Sequence, residues 1–192
     1  MGSGSLAQGN GTMGYFTHLR SGGINRFAGV TAYDVSEWSD LFVAAAGATA
    51  ALSGLVFVAV SINIERILEN EGVPDFAMVT LLMLLGALMV SLLGLIPGQS
   101  VAAFGWEMVG GGVVWAALAG PRMRASVPRS GAERYLTSRV MLPLAGMFPL
   151  VVGAISLIAG SGGGLYWIAT GVITTIFAAV VNAWILLVEI LR

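Results

Sequence analysis

Five long apolar runs, separated by short polar segments, dominate the hydrophobic pattern of this chain. A helix needs roughly 20 apolar residues to cross the hydrocarbon core of a bilayer, and each run has about that length. We therefore predict an all-α protein, a polytopic transmembrane helical bundle with five spanning helices. The predicted spans are residues 41–64, 76–96, 101–119, 140–159 and 165–188.

Polar and helix-breaking residues separate the predicted spans. Asp34 and Glu37 have the spacing of a capping box ahead of the first span. The Pro-Gly-Gln-Ser sequence at 97–100 predicts a tight turn between the second and third spans. The Ser-Gly-Gly-Gly sequence at 161–164 predicts another turn before the fifth span. The apolar runs are therefore expected to be neighbouring antiparallel helices.

Two longer polar segments complete the predicted organisation. Residues 1–33 lack a continuous apolar run and begin with a stretch rich in Gly and Ser, so we expect a flexible N-terminal segment. Residues 34–192 form one membrane domain, in which residues 120–139 are expected to be a polar loop.

The third span is the least certain of the five, because it must take Glu107 into the membrane. A span that began after Glu107 would have only about a dozen residues, too few to cross the hydrocarbon core. The number of spans therefore depends on this residue. The side of the membrane assigned to each later loop depends on it too.

Composition supports the membrane assignment and excludes several kinds of site. Only 10% of the residues are charged, against roughly 25% in soluble domains. The chain has no cysteine and one histidine, His18, which excludes disulfides, thiolate sites and a histidine-based metal cluster within one chain. No nucleophile, base and orienting group occur at a known spacing. We therefore predict no enzymatic activity, no metal and no cofactor, and the net charge of -1 gives no case for nucleic-acid binding.

The basic residues are distributed unequally between the predicted loops. All nine are arginines, and seven of them lie on the side of the C-terminus. By the positive-inside rule, the N-terminus is outside and the C-terminus is in the cytoplasm. The Ala-rich and Gly-rich, lysine-free composition is typical of GC-rich bacteria, so we expect the bacterial plasma membrane, the cell inner membrane. The arginines expected to set topology or to bind anionic lipid head groups are Arg122, Arg124, Arg129, Arg134 and Arg139.

Polar side chains inside the predicted spans are few, and Glu107 is the most informative. An intramembrane carboxylate costs several kcal/mol unless it is paired, hydrated or protonated. Glu107 therefore either marks the interfacial start of the third span or forms a proton site, a cation site or a buried polar clamp. Gln99 and Asn182 are its possible partners within the chain. The other intramembrane polar candidates are Asn182, Thr174, Ser53 and Asn63.

The hydroxyl and amide candidates have two interpretations. They can line a wet pathway through the membrane, or they can serve packing alone. Such groups often bond to a neighbouring helix or to the backbone of their own helix, which favours packing.

Small residues at four-residue steps occur on two of the predicted spans. Helices in lipid associate where small side chains let their backbones approach. Either the two faces pack inside the bundle, or one of them is an interface between copies of the chain. These helix-packing residues are Ala46, Ala50 and Gly54 on the first span and Gly171, Thr175 and Ala179 on the fifth.

One resemblance covers the first two spans and the turn after them. The sequences FVAAAGATAALSGLVFVAVSINIERIL and LLMLLGALMVSLLGLIPGQS resemble a family of small actinobacterial polytopic membrane proteins of unknown function. The resemblance implies a multi-pass membrane protein and no particular activity.

Two classes of function remain. The first is a non-catalytic accessory or assembly subunit of a membrane complex, or a homo-oligomeric structural bundle. The partners would be the lipid bilayer and either a second copy or the larger complex. The alternative is a small oligomeric ion or proton channel or transporter that uses Glu107. A pathway requires Glu107 and the hydroxyl groups to face one hydrated cavity, whereas a packing role does not.

Overall fold

The computed structural model describes residues 32–127 and 137–190. Within these ranges, five helices are long and apolar enough to cross a membrane, which confirms the predicted all-α bundle with five spans. The third span, with Glu107 inside it, is one of them. The helices are α1 Ser39–Ile62, the short α2 Ile64–Glu69, α3 Val73–Leu93, α4 Val101–Ala125, α5 Leu142–Ala159 and α6 Gly164–Ile190.

Capping groups mark where two of the long helices begin. A 3-10 turn, Val35–Trp38, precedes α1, and the Asp34 carboxylate accepts a hydrogen bond from the Ser36 amide at 3.1 Å. Helix α4 begins after the turn at 97–100, where the Ser100 hydroxyl accepts a hydrogen bond from the Ala103 amide at 3.2 Å. Both side chains satisfy amide groups that a helix start leaves without an intrahelical partner.

The third span is longer than predicted. Helix α4 continues to Ala125, so residues 120–125, which were predicted to belong to the polar loop, are helical. Pro121 removes one backbone hydrogen bond there. However, Ala119 and Met123, on either side of that proline, are buried in a hydrophobic cluster that includes Val79 and Met83 of α3. Burial of this apolar pair favours a continued helix over the loop that the proline suggests.

Four helices surround an interior space, and α1 lies outside them. Helix α6 packs along α5 and α3, and α4 contacts α3 and α5 on the other side. Helix α1 packs mainly against α3 and less extensively against α6. The residues between α3, α4, α5 and α6 are therefore the ones placed to form an internal site.

We call the end of the bundle where α1 begins the first end. At this end, residues near the start of α1 contact residues near the start of α6. The Tyr33 hydroxyl accepts a hydrogen bond from the Gly163 amide at 2.8 Å. The Trp38 and Tyr166 rings meet edge to face, with centroids 4.9 Å apart. Desolvation acts to raise the pKa of Tyr33, but hydrogen bonds with Ser156 and with the backbone of Gly163 and its neighbour outweigh it and lower that pKa.

Candidate functional site

Glu107 lies two turns into α4, on the side that faces the interior space. Because an α-helix rises 1.5 Å per residue, this residue is roughly 9 Å along the helix axis from Val101. Its side chain is half-buried, and the Gln99 amide nitrogen donates a hydrogen bond to its Oε2 atom. Gln99 is one of the two partners expected from the sequence. The other, Asn182, bonds elsewhere.

The Gln99 amide oxygen is buried and has no hydrogen-bond partner among the described residues. The turn at 97–100 therefore brings a donor that bonds to the Glu107 carboxylate and an acceptor that no described residue satisfies. Unsatisfied buried acceptors are uncommon in folded proteins and call for a ligand, a water molecule or an ion. The pair of Gln99 and Glu107 thus forms an acceptor-rich cluster at the first end of the interior space.

A cavity of about 940 Å³ extends from Glu107 toward the middle of the bundle. Its walls come from α3, α4 and α5 and are almost entirely apolar. Of the described residues that line it, only Glu107 is ionisable. Small-molecule sites in proteins have volumes of roughly 300–1,000 Å³ and combine apolar walls with a few polar groups. This cavity is therefore the candidate functional site.

Thr175 is the cavity's contribution from α6. Its side chain is 6% exposed, and its hydroxyl has no hydrogen-bond partner within the described chain. A β-carbon added to Gly146 of α5 would lie 2.7 Å from this hydroxyl, so the glycine makes room for it. The sequence identified Thr175 as a helix-packing residue. The structure adds that this residue is among those that line the cavity.

Trp115 links α4 to α3 at the opposite end of the cavity. Its indole nitrogen donates a hydrogen bond to the Leu82 carbonyl of α3 at 3.0 Å. Gly86 lies one turn further along α3, and a β-carbon there would be 3.2 Å from the same ring. The sequence analysis did not select Trp115 as a site residue. An indole N–H inside an apolar span needs an acceptor, and that need is the signal that could have identified it.

The other intramembrane polar candidates do not line this cavity. Ser53 bonds to the Thr49 carbonyl at 2.7 Å, Thr174 to the Thr170 carbonyl at 2.7 Å, and Asn63 to the Ala59 carbonyl at 2.9 Å. All three donate to the backbone of their own helical segment four residues back. Within the described chain, these side chains do not form a polar pathway with Glu107.

Asn182 is fully buried between α6 and α3. Its amide nitrogen lies 3.5 Å from the sulfur of Met83, and its oxygen has no hydrogen-bond partner in the part of the chain that the structure describes. A thioether is a weak acceptor, so this amide is poorly satisfied. Asn182 therefore lies in the α3–α6 interface, separate from the Glu107 cluster.

The two small-residue faces have different surroundings. On α6, Gly171 and Ala179 are buried, and a β-carbon on Gly171 would lie 2.6 Å from the Leu150 side chain and 2.9 Å from its backbone nitrogen. On α1, Ala50 and Gly54 are exposed and Ala46 is half-buried. A β-carbon on Gly54 would meet no described atom within 4 Å.

The predicted arginines that the structure describes also differ in their surroundings. Arg124 is exposed, and Arg122 donates a hydrogen bond to the Leu118 carbonyl at 2.7 Å. Arg139, expected at the lipid head groups, is instead buried, being only 2% exposed. Its guanidinium donates to the Ser126 carbonyl and lies 5.0 Å from the centre of the Phe76 ring. Arg129 and Arg134 lie outside the described residues.

Burial of Arg139 is stabilised by close packing around it. The carbonyl of Ser126 and the face of Phe76 both attract the cation. Gly72, which precedes α3 with a φ of 78°, leaves room for this arrangement, because a β-carbon would lie 2.6 Å from the Ser126 oxygen. Arg139 therefore joins the segment before α5 to the end of α4 and to the start of α3.

Comparison with models of protein families, with curated proteins and with solved structures finds no match to this chain. Among the described residues, no group of three or more His, Cys, Asp or Glu side chains could hold a metal ion. The features of the described chain that bear on function are therefore the cavity, the exposed face of α1 and the buried polar groups.

Proposed function

We propose that this chain is a non-catalytic membrane protein with a role in assembly, in which α1 packs side by side against a helix of a second copy or of a larger membrane complex. The supporting observation is the exposed face of α1, which includes Gly47, Ala50 and Gly54. A β-carbon on either glycine would meet no described atom within 4 Å.

Glycine inside a helix has a free-energy cost that close packing against another helix can offset. Glycine destabilises a helix interior by about 0.5–1 kcal/mol relative to alanine. Inside the described chain, no close helix contact offsets this cost at Gly47 and Gly54. A second helix packed across that face would offset it, since small residues allow close approach and many dispersion contacts. Exposure to lipid alone would not.

Cysteine cross-linking tests this proposal directly, because the natural chain has no cysteine. We expect Gly54→Cys to form a disulfide-linked dimer in native membranes if the partner is a second copy. Ala48→Cys is the matched control, because Ala48 is also exposed but points about 120° away around α1.

Association with a different protein would give a cross-link only to that protein. Mild detergent extraction followed by mass measurement of the intact particle distinguishes the two partners. A monomer in both experiments, with Gly54→Cys and Ala48→Cys behaving alike, would contradict the assembly role.

The alternative of an ion or proton channel has weaker support. Glu107 does border a cavity, and Thr175 is among the residues that line it. However, Ser53 and Thr174 bond to their own helices, and the remaining lining is apolar. Proton flux into vesicles that contain the purified chain tests the alternative. Flux that Glu107→Gln abolishes would support a channel over assembly alone.

We further propose the orientation that the arginines favour, with the N-terminus outside a bacterial plasma membrane and the C-terminus in the cytoplasm. Arg66 and Arg124, at the end of the bundle opposite the first end, support it through the positive-inside rule. Single cysteines in place of Ser36 and Asn70 test it with a membrane-impermeant thiol reagent. Labelling of intact cells at position 70 but not at position 36 would reverse the orientation.

A further inference from the structure

The cavity beside Glu107 opens sideways onto the outer surface of the bundle. Its rim includes Leu85 and Met89 of α3 and Leu144 and Ile155 of α5, which are 44–60% exposed. In a membrane, this surface faces hydrocarbon. Water is a poor occupant, because a buried water molecule needs two to four polar partners and the walls are apolar. An empty void is also unfavourable, because its lining loses dispersion contacts. The occupant is therefore expected to come from the bilayer.

The length of the cavity matches one hydrocarbon chain. From Glu107 to Leu118 on α4, and from Leu82 to Leu93 on α3, the lining residues extend over roughly 16 Å at 1.5 Å per residue. Half of the hydrocarbon core of a bilayer is about 15 Å thick. A chain that starts beside Glu107 and ends near Trp115 would therefore extend across about one leaflet.

The polar end of the cavity requires a cationic hydrogen-bond donor. Glu107 contributes a carboxylate to the cavity wall, and its hydrogen-bond partner Gln99 lies behind it, outside the cavity lining. No basic residue is among the described residues that line the cavity. A primary ammonium group carries a positive charge and three N–H donors, which complements this carboxylate. A head group with only a phosphate and hydroxyls would bring a second negative charge to Glu107.

We propose that the cavity binds a phospholipid whose head group carries a primary ammonium, such as phosphatidylethanolamine. One hydrocarbon chain lies between α3, α4 and α5, and the ammonium group bonds to Glu107. This inference does not depend on the proposed assembly through α1, which uses a different face.

Lipid selectivity of the purified chain tests the proposal. The protein in mild detergent receives an equimolar mixture of phosphatidylethanolamine and phosphatidylglycerol, and native mass spectrometry measures the retained adducts. We expect one phosphatidylethanolamine to be retained in preference to phosphatidylglycerol. A charge-assisted hydrogen bond contributes roughly 1.5–3 kcal/mol, so Glu107→Gln should reduce that preference by about tenfold or more. Glu65→Gln, an exposed glutamate outside the cavity, is the control.

Two neighbouring glycines test where the chain binds. Gly111 lines the cavity and Gly110 does not, yet a β-carbon on either would meet no described atom within 4 Å. Gly111→Leu should fill the cavity and lower retention of both lipids at least fivefold, whereas Gly110→Leu should not. If Gly111→Leu proves less stable than Gly110→Leu, Leu144→Trp at the rim provides a second block.

Each possible result supports or overturns one part of the lipid proposal. Equal retention of the two lipids, or unchanged preference in Glu107→Gln, would overturn the head-group assignment. Unchanged retention in Gly111→Leu and in Leu144→Trp would overturn the location of the chain. Absence of a cross-link in Gly54→Cys has no bearing on either, so the lipid proposal and the assembly proposal fail separately.

Discussion

Helices α1 and α6 carry similar small-residue faces, but only the face of α6 is covered by another helix of the described chain. On α6, a β-carbon on Gly171 would lie 2.9 Å from the backbone nitrogen of Leu150. On α1, a β-carbon on Gly54 would have open space around it. The comparison teaches that a small-residue pattern predicts a close helix contact but does not say whether the partner helix belongs to the same chain.

The difference follows from position in the bundle. Helix α6 packs against both α5 and α3, so its small residues face other helices. Helix α1 packs mainly against α3, its buried residues are Phe42, Ala45, Thr49 and Val56, and its opposite side faces outward. The small residues at 47, 50 and 54 lie on that outward side. These opposite surroundings predict different responses to substitution on the two helices.

The largest expected effect is the loss of stability in Gly171→Leu. The new side chain would clash with the backbone of Leu150, which cannot move aside as a side-chain end can. Overpacking of this kind costs typically 1–3 kcal/mol, and more where backbone is in the way. Gly54→Leu is the matched control and should not destabilise the monomer, because the new side chain has open space and a glycine is removed from the helix. Thermal unfolding in detergent measures both. Equal unfolding temperatures would mean that the α5–α6 contact is looser than the structure shows.

A smaller loss is expected for Gly146→Ala on the α5 side of the same contact. The added methyl group would lie 2.7 Å from the Thr175 hydroxyl and 3.0 Å from its Cα atom. We expect a loss of about 1–2 kcal/mol. Thr175→Ala should recover part of it, because it removes the closer atom. A double-mutant cycle measures this coupling, and a coupling energy below about 0.5 kcal/mol would contradict direct contact.

The two buried threonines should differ when each is replaced by valine. The Thr49 hydroxyl of α1 donates to the Ala45 carbonyl at 2.7 Å, whereas the Thr175 hydroxyl of α6 has no partner in the described chain. Thr49→Val should lose about 0.5–1.5 kcal/mol through that hydrogen bond. Thr175→Val should be neutral or stabilising in lipid-free detergent. Chemical denaturation measures the loss of stability in each variant. A larger loss in Thr175→Val than in Thr49→Val would mean that the Thr175 hydroxyl does have a hydrogen-bond partner.

The smallest expected effect concerns Tyr33, which joins the start of α1 to α6. Its hydrogen bonds with Ser156 and the Gly163 amide lower its pKa from the ordinary value of 10.0, despite partial desolvation. A lowered folded pKa contributes stability that is complete above pH 10 and is lost as the pH falls through the folded value. Tyr33→Phe should remove this pH dependence. Unfolding temperatures measured from pH 8 to pH 10.5 should rise less steeply in the variant than in the natural chain.

Apolar run lengths were sufficient to predict the fold. The five spans follow from hydrocarbon thickness and from the cost of an unsatisfied backbone in lipid, and both act on any chain of this composition. The end of α4 could not be predicted in the same way. Pro121 and two arginines favour a loop there, and only the burial of Ala119 and Met123 against neighbouring helices shows why the helix continues.

The candidate site was partly predictable. Glu107 stands out in the sequence because an intramembrane carboxylate needs a partner, and Gln99 lies two residues before the predicted span that contains it. The cavity did not stand out, because its walls are ordinary apolar residues from three helices. For Arg139 the prediction was wrong. An arginine in a polar loop is expected at the surface, whereas its guanidinium is buried beside Phe76.

The amino-acid sequence was enough to identify five segments that are long and apolar enough to cross a membrane, because lipid requires each spanning segment to be apolar over a fixed length. It was also enough to identify Glu107 as a carboxylate inside one of these segments. The tertiary structure alone decided which small-residue face is covered, where a lateral cavity opens and which arginine is buried. These properties depend on how helices meet in space, and helix packing is a non-local property that local apolar patterns do not encode.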